Sequence, residues 1–314
     1  MNERQLEYVV AIVETGSFTA AAERCHTTQS ALSHQVARLE RHLGTQLFDR
    51  TGRSVQLTTT GRSLLPVARQ ILRDMRDVRA EIRAVDGLIR GPLRIGMTQT
   101  AIQVLNLLQL LTDYGKAYPD VEMSITVGPG FELLSGVQSG HLDIGFGALD
   151  RPALPPGVRF VPVGRIEPLV AVVASGHPLA SRTSVQLRQL AQTSQFIDFR
   201  AHTTLWNKVE AMFGAAGVER RVMCELGSIP LMVGLAATGL AVAVVPRAFT
   251  EVGGGQPSWC KEIRVLPLTE PDSSLTMGFF CRNGTMATPL RAFAELFSVE
   301  RHVFPPPSGD VLGG

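Results

Sequence analysis

The sequence predicts a multidomain α+β chain: a small winged helix-turn-helix head, one long connecting helix, and a larger region of alternating strands and helices. Three observations carry this. Apolar residues recur at helical spacing through residues 3–43, and a short alternating hairpin pattern follows. A seam of apolar residues at steps of three and four then runs from Leu65 to Val85. Beyond the break at Gly91-Pro92, strand-like and helix-like runs alternate up to about residue 299.

A chain of 314 residues can hold two or three cores, and 45% hydrophobic with 18% charged residues is a globular composition. No apolar run reaches the roughly 18 residues of a membrane helix. The charged start, MNERQ, predicts no secretory signal and a cytoplasmic location. Cys25, Cys224, Cys260 and Cys281 are widely spaced without a CxxC pair and are expected as free thiols.

In the head, Leu6, Val9, Val10 and Val13 define a first helix over about 3–13. The chain turns at Gly16-Ser17, where Ser17 or Thr19 can cap a short Ala-rich helix. Thr27 or Thr28 then caps a third helix from Gln29 to Leu43, which Gly44 ends. Its inward stripe is Leu32, Val36, Leu39 and Leu43, leaving Gln29, Ser30, Ser33, His34 and Arg38 to face elsewhere. Those groups can read base edges or grip phosphates, although the same types would also suit the solvated face of a helical bundle. Residues 46–50 and 55–57 flank Thr51-Gly52-Arg53-Ser54 as a hairpin with an arginine at its tip, the form of a wing that reaches an adjacent phosphate backbone or minor groove.

Charge agrees with this order of elements. Residues 1–90 hold 13 arginines against 10 acids, whereas residues 91–314 hold 17 bases and 18 acids. From Arg50 to Arg73 there are five arginines and no acid. A basic patch at one end of a near-neutral chain is the pattern of a protein that touches nucleic acid with that end.

The long helix is expected from Thr58 or Thr60 to Asp86, with Leu65, Ala68, Ile71, Leu72, Met75, Val78, Ile82 and Val85 on its seam and Pro66 in its first turns. Three heptads of seam suit a homodimer, and the alternative is a helix packed on its own head. Strands then follow at about 93–97, 121–127, 142–146, 159–163, 169–174, 195–198, 221–225, 240–245, 263–266 and 275–280. Helices fall at about 102–116, 131–139, 185–190, 205–213, 229–237 and 286–299, giving an open, mostly parallel α/β arrangement. The tail from Phe304, with Pro305-Pro306-Pro307, is expected to be flexible.

Ligands in open α/β sheets sit beyond the carboxyl ends of strands, near free helix N-termini. The loops in that position supply Thr98, Gln99 and Thr100, then Phe199, Arg200, His202, Thr203 and Thr204, then Ser228 and Ile229. Their chemistry fits a small polar or anionic effector such as a carboxylate metabolite. Each hydroxyl also suits a plain N-cap, and His202 an exposed capping position.

The segments FTAAAERCHTTQSALSHQVARLE and LFDRTGRSVQLTTTGRSLL together resemble the DNA-binding domain of LysR-type transcriptional regulators. The resemblance continues through AYPDVEMSITVG, LLSGVQSGHLDIGFG, GHPLA and ELGSIPLMVGLAATGLAVAVVP, so that it spans Met1 to about Val299. It implies that residues 18–37, beginning with Phe18 and Thr19, form the helix-turn-helix. Thr28, Gln29, Ser30, Ser33, His34 and Arg38 then stand at recognition positions, and Arg50, Thr51 and Arg53 on the wing. The implied boundaries are a DNA-binding domain over 1–58, a linker and dimerisation helix over 59–90, an effector region over 91–300 and a tail over 301–314. The effector region would be two-lobed and like a periplasmic binding protein, with 91–163 and 265–300 in lobe I and 164–262 in lobe II. The implied partners are double-stranded promoter DNA read as an interrupted palindrome, a second copy or a tetramer, RNA polymerase, and an inducer between the lobes. No cofactor, metal or membrane is implied.

Three departures stand out: Ser30 replaces a proline common in the family, and Gly130 replaces a serine or threonine that would donate into the cleft. Cys224 and Cys260 do not reproduce the cysteine spacing of peroxide-sensing members. An enzyme is not expected, for there is no G-x-S-x-G elbow or HExxH, and Lys116, Lys208 and Lys261 lie in no Schiff-base context. A solute receptor would lack the head, and an architectural DNA protein would lack the cleft.

Overall fold

The computed structural model describes residues 1–49, 55–84, 89–149, 154–250, 262–284 and 286–301. They fall into two compact units, one built mainly from residues 1–91 and the other from most of the chain beyond.

The first unit opens with α1 (Glu3–Thr15), α2 (Phe18–Arg24) and α3 (Gln29–Leu43). Each start is fixed by a cap that removes an orphan backbone donor. Asn2 and Gln5 form a reciprocal capping box on α1, Ser17 Oγ accepts from Ala20 N–H, and Thr28 Oγ1 accepts from Ala31 N–H. Gly16 and Gly44 end α1 and α3 in the left-handed conformation. Val9, Ile12, Leu32, Val36 and Leu39 close into a core with Leu47 and Phe48, which lead β1 (Phe48–Asp49) into its pairing with β2 (Gln56–Leu57). The wing tip, including Arg50, Thr51 and Arg53, lies outside the described residues.

Helix α4 (Thr59–Ala84) carries Pro66 in its second turn. Its start packs on its own head: Leu64 meets the core, Ala68 is buried, and Gly61 passes so close to Leu47 that a Cβ would enter the Leu47 carbonyl. Farther along, Met75, Val78 and Ile82 remain exposed. The packing of this helix on its own head therefore holds for its first turns, and the later turns leave seam residues uncovered. Val85 and Asp86 lie outside the described residues.

In the second unit the sheet runs β4-β3-β5-β11-β6-β9-β7-β8, with β10 on β6. Its strands are β3 (Gly91–Met97), β4 (Val121–Val127), β5 (Ile144–Leu149), β6 (Val158–Ala174), β7 (Phe196–Phe199), β8 (Val222–Leu226), β9 (Val242–Pro246), β10 (Ile263–Pro267) and β11 (Ser274–Arg282). The ladders β3–β5, β7–β8 and β7–β9 are parallel, whereas β5–β11, β6–β11, β6–β9 and β6–β10 are antiparallel. The sheet is thus mixed, not mostly parallel. The reason is β6: the two short strands expected at 159–163 and 169–174 are one strand of 17 residues. Pro162 and Pro168 suggest a break in the sequence, yet β11 follows the strand past both by shifting register between Thr276 and Gly278. The first half of β6 pairs with β11 and its second half with β9 and β10. Val265–Pro267 therefore lie beside the second half of β6 and not, as the sequence suggests, with lobe I.

The helices are α5 (Gln99–Leu105), α6 (Leu107–Ala117), α7 (Gly130–Ser139), α8 (Leu187–Thr193), α9 (Thr204–Ala216), α10 (Ile229–Ala237) and α11 (Thr288–Arg301). The single helix expected at 102–116 is two, because Asn106 takes a left-handed conformation (φ 50°) and Thr98 caps the chain three residues earlier than expected. Tyr114, Phe146, Phe279, Phe293 and Phe297 interlock edge to face or tilted in the core of the first half. No helix among the described residues is long and apolar enough to cross a membrane. The tail from residue 302 lies outside them.

Candidate functional site

Two surfaces concentrate the predicted residues, one on each unit. On the first, α3 buries Leu32, Val36 and Leu39 and turns Ser30, His34 and Arg38 outward at helical spacing. Gln29 and Ser30 are exposed in the first turn, where Gln29 Nε2 donates to Ser33 Oγ at 3.3 Å and Thr28 Oγ1 shares a hydrogen with Ser30 Oγ at 3.2 Å. Arg41 extends the same outward row and escaped the sequence reading, although its distance from Arg38 and His34 at helical steps marks it.

Thr19 is exposed, but Phe18 is a different case: its ring meets Phe48 edge to face at 5.5 Å and is packed against the head core. The ring is half-buried between α2 and the base of the wing. The wing's base is tied to α3 through buried Glu40, whose Oε1 accepts from Leu47 N–H at 2.8 Å and from Phe48 N–H at 3.3 Å.

On the second unit, strands β3, β4, β7 and β8 all end at one cleft of about 440 Å³. Nine predicted residues line it: Thr98, Gln99, Thr100, Gly130, Phe199, Arg200, Thr203, Thr204 and Ile229. Two do not. His202 holds a left-handed backbone (φ 66°) and turns its ring toward Trp206, with centroids 5.7 Å apart, while Ser228 precedes α10 without lining the cavity. The sequence reading missed Glu132 and the apolar lining residues Val127, Phe131, Ala148, Leu226 and Leu275. Strand ends and loops signal a cleft in sequence, but which mid-strand residues reach it depends on pairing.

The hydroxyls differ in what they are free to do. Thr98 Oγ1 accepts from Ala101 N–H at 3.1 Å and Thr203 Oγ1 from Trp206 N–H at 3.2 Å, so both are N-caps as well as cleft residues. Thr203 also donates to the Arg200 carbonyl at 2.9 Å, which pins the loop that carries the guanidinium. Thr100 is 5% exposed, yet its hydroxyl has no hydrogen-bond partner among the described residues. Across the cleft, a Cβ on Gly130 would lie 3.1 Å from Thr204 Oγ1; glycine keeps these two segments close.

Arg200 is exposed and makes no ion pair among the described residues. Its neighbour Asp198 is spoken for: buried, it accepts from Arg220 Nε at 2.8 Å and Nη2 at 2.6 Å and caps Phe199 N–H through its other oxygen. Arg220 in turn lies 4.7 Å over the Phe213 ring. This buried pair fixes the end of β7 and leaves Arg200 as the free cation at the opening.

Cys25, Cys224 and Cys281 are free thiols, and Cys260 lies outside the described residues. Burial pushes the Cys25 and Cys281 thiols above their ordinary range. Among the described residues no group of three or more His, Cys, Asp or Glu side chains is placed to hold a metal ion.

Comparison with known proteins gives both units the same kinship. Residues 3–62 match the bacterial regulatory helix-turn-helix protein model of the lysR family, and residues 86–299 match the LysR substrate binding domain. The HTH-type transcriptional regulator YnfL of Escherichia coli K12 is 32% identical over 272 residues, covering 86% of this chain and 88% of its own. Full-length OxyR from Pseudomonas aeruginosa superposes with a TM-score of 0.73 at 24% identity over 95% of each chain. Full-length CbnR complexed with its target DNA superposes at 0.62 with 24% identity, over 95% of this chain and 99% of that one.

Proposed function

The chain belongs to the LysR family of DNA-binding transcriptional regulators, with a substrate-binding effector domain, and from that premise we propose how its own residues divide the work. Ser30, His34, Arg38 and Arg41 on α3 face the major groove and set sequence preference, with Gln29 and Ser33 at the first turn. Arg50, Thr51 and Arg53 of the wing grip the adjoining backbone and contribute mostly affinity. Met75, Val78 and Ile82 of α4 are the seam of a homodimer, which brings two recognition helices to two half-sites of promoter DNA. The regulator works in the cytoplasm, without catalysis, and contacts RNA polymerase from its promoter site.

The cleft of the second unit is proposed to bind a small carboxylate effector. The observation that carries this is the meeting, around one cavity, of an Arg200 guanidinium without an ion pair among the described residues, the cleft-lining Thr100 and the N-termini of α7 and α9. The effector would act by favouring one arrangement of the two lobes, a coupling of about 1–3 kcal/mol in typical systems.

The test is a map of the genomic fragments that the purified protein retains, followed by a reporter on the strongest promoter. A few sharp sites with a shared palindrome support the regulator reading. Arg200→Ala should abolish the inducer response while operator affinity stays intact. An unchanged response in a Thr98→Ala, Arg200→Ala double variant would remove the cleft assignment.

A further inference from the structure

We infer that the cleft selects a dipolar ligand, one with a single carboxylate, an apolar body and a cationic group at the far end, over a dicarboxylate of the same shape. This rests on reading the cleft as the effector site. The charge balance is its basis. Among the described residues lining the cavity, Arg200 and Glu132 are the charged ones, they are opposite in sign, and neither has an ion-pair partner.

They are also set on different walls. Arg200 follows β7, three residues before the Thr203 cap of α9, whose Thr204 and Leu205 amides have no hydrogen-bond acceptor among the described residues. That wall combines a full positive charge with the positive end of a 13-residue helix and is the place for a carboxylate. Glu132 stands in the first turn of α7, on the wall that follows β4. There it offsets the positive end of α7, so this side attracts no second anion and offers a carboxylate to a cation.

Acting only as a helix-stabilising acid, Glu132 could sit anywhere around the first turn of α7. It lines the cavity instead, with Oε2 only 3.5 Å from where a Gly128 Cβ would be. The same cavity is lined by Val127, Phe131, Phe199, Leu226, Ile229 and Leu275, apolar groups suited to a ring or branched aliphatic body. A dicarboxylate would set its second charge against Glu132, while a cationic group there forms a charge-assisted pair.

Calorimetric titration of the full chain with three probes of one ring tests this: benzoate, 4-(aminomethyl)benzoate and terephthalate. In the wild type, 4-(aminomethyl)benzoate should bind at least tenfold more tightly than terephthalate, about 1.4 kcal/mol, with benzoate between them. Glu132→Gln should bring the two outer probes within threefold, and Glu132→Lys should invert their order. Terephthalate binding as tightly as the amine in the wild type overturns the proposal, as does a ratio untouched by both variants or no binding of any probe. Arg200→Ala separates the two readings. If it weakens all three probes while the Glu132 variants leave the ratio alone, the selectivity falls and the effector cleft stands. If it leaves every affinity unchanged, the cleft assignment falls too.

Discussion

Glu40→Ala should loosen the wing from the recognition helix, and the size of the effect follows from two bonds. Glu40 Oε1 accepts from the backbone N–H of Leu47 and of Phe48 in a setting where both residues are 0% exposed. Alanine supplies no acceptor, and neither amide can turn to water without opening the head core. Each stranded donor costs about 1–3 kcal/mol, and the cavity left by the side chain admits some water, so a total of about 2–4 kcal/mol is expected. Glu40→Gln keeps an acceptor oxygen in place and should lose about half as much, since a neutral bond replaces a charge-assisted one. Hydrogen exchange reads the two amides directly. Protection at Leu47 and Phe48 should fall about 30- to 1000-fold in the alanine variant, with the second unit unchanged. Operator affinity should fall with it, because the wing hairpin starts at Phe48. Protection within threefold of wild type at both amides would refute the reasoning, for it would mean that the carboxylate does not hold the strand.

Other expectations follow from the same geometry. Gly61→Ala gains up to about 1 kcal/mol of helix propensity but drives a methyl into the Leu47 carbonyl, which also receives Thr58 N–H, so a net loss of about 1–3 kcal/mol should appear in urea unfolding of the head; equal or greater stability would show that α4 can slide. Val78→Asp with Ile82→Asp places two charges on exposed apolar turns of α4 and should yield a monomer by light scattering with the head still folded, whereas an unchanged oligomer would move the interface elsewhere. His177 accepts the Leu179 amide through Nδ1 at 3.1 Å and meets Ser194 Oγ through Nε2 at 2.7 Å, a neutral ring that burial keeps below its ordinary pKa of 6.5. Because the folded value is the lower one, the stability it contributes is complete above pH 6.5 and lost as the pH falls through the folded value. Wild type should therefore weaken on acidification relative to His177→Asn, and parallel pH curves for the two would contradict it.

The helical head was readable because local chemistry settles it: Ser17, Thr28 and Gly44 cap where their side chains or missing side chain require, and Leu32, Val36 and Leu39 repeat at one helical face. The second unit was readable element by element but not in its pairing. Pro162 and Pro168 argue locally against a single strand, and only the partner β11, shifting between Thr276 and Gly278, makes β6 continuous. Asn106 posed the same difficulty inside the expected helix, since asparagine tolerates both helical and left-handed backbone. For the cleft, the rule that ligands sit beyond strand ends located eight lining residues, and the family resemblance added Gly130. It could not find Leu275 or Ala148, which reach the cavity from within β11 and β5, nor Glu132, whose role depends on the wall opposite. The contact of Phe18 with Phe48 was hidden for a related reason, because it depends on where the wing packs.

What joins the two halves of the cleft is the placement of its flexible and rigid parts. Asp198 and Arg220 hold the end of β7, Thr203 ties the next turn to the Arg200 carbonyl, and the guanidinium makes no ion pair among the described residues. On the facing wall Gly130 brings the start of α7 within a methyl's reach of Thr204, and a serine or threonine there would have to displace that hydroxyl or bond to it. Glycine at this position leaves Thr204 without a hydroxyl neighbour from α7. If a ligand spans the two walls as proposed, Arg200 and Glu132 are the charged lining groups that would meet its ends. In Gly130→Ser the hydroxyl should bond Thr204 without ligand, raising the inducer-free reporter response toward the induced level and shrinking the increment that the inducer adds. A variant whose basal and induced responses both match wild type would show that closure does not pass through this contact.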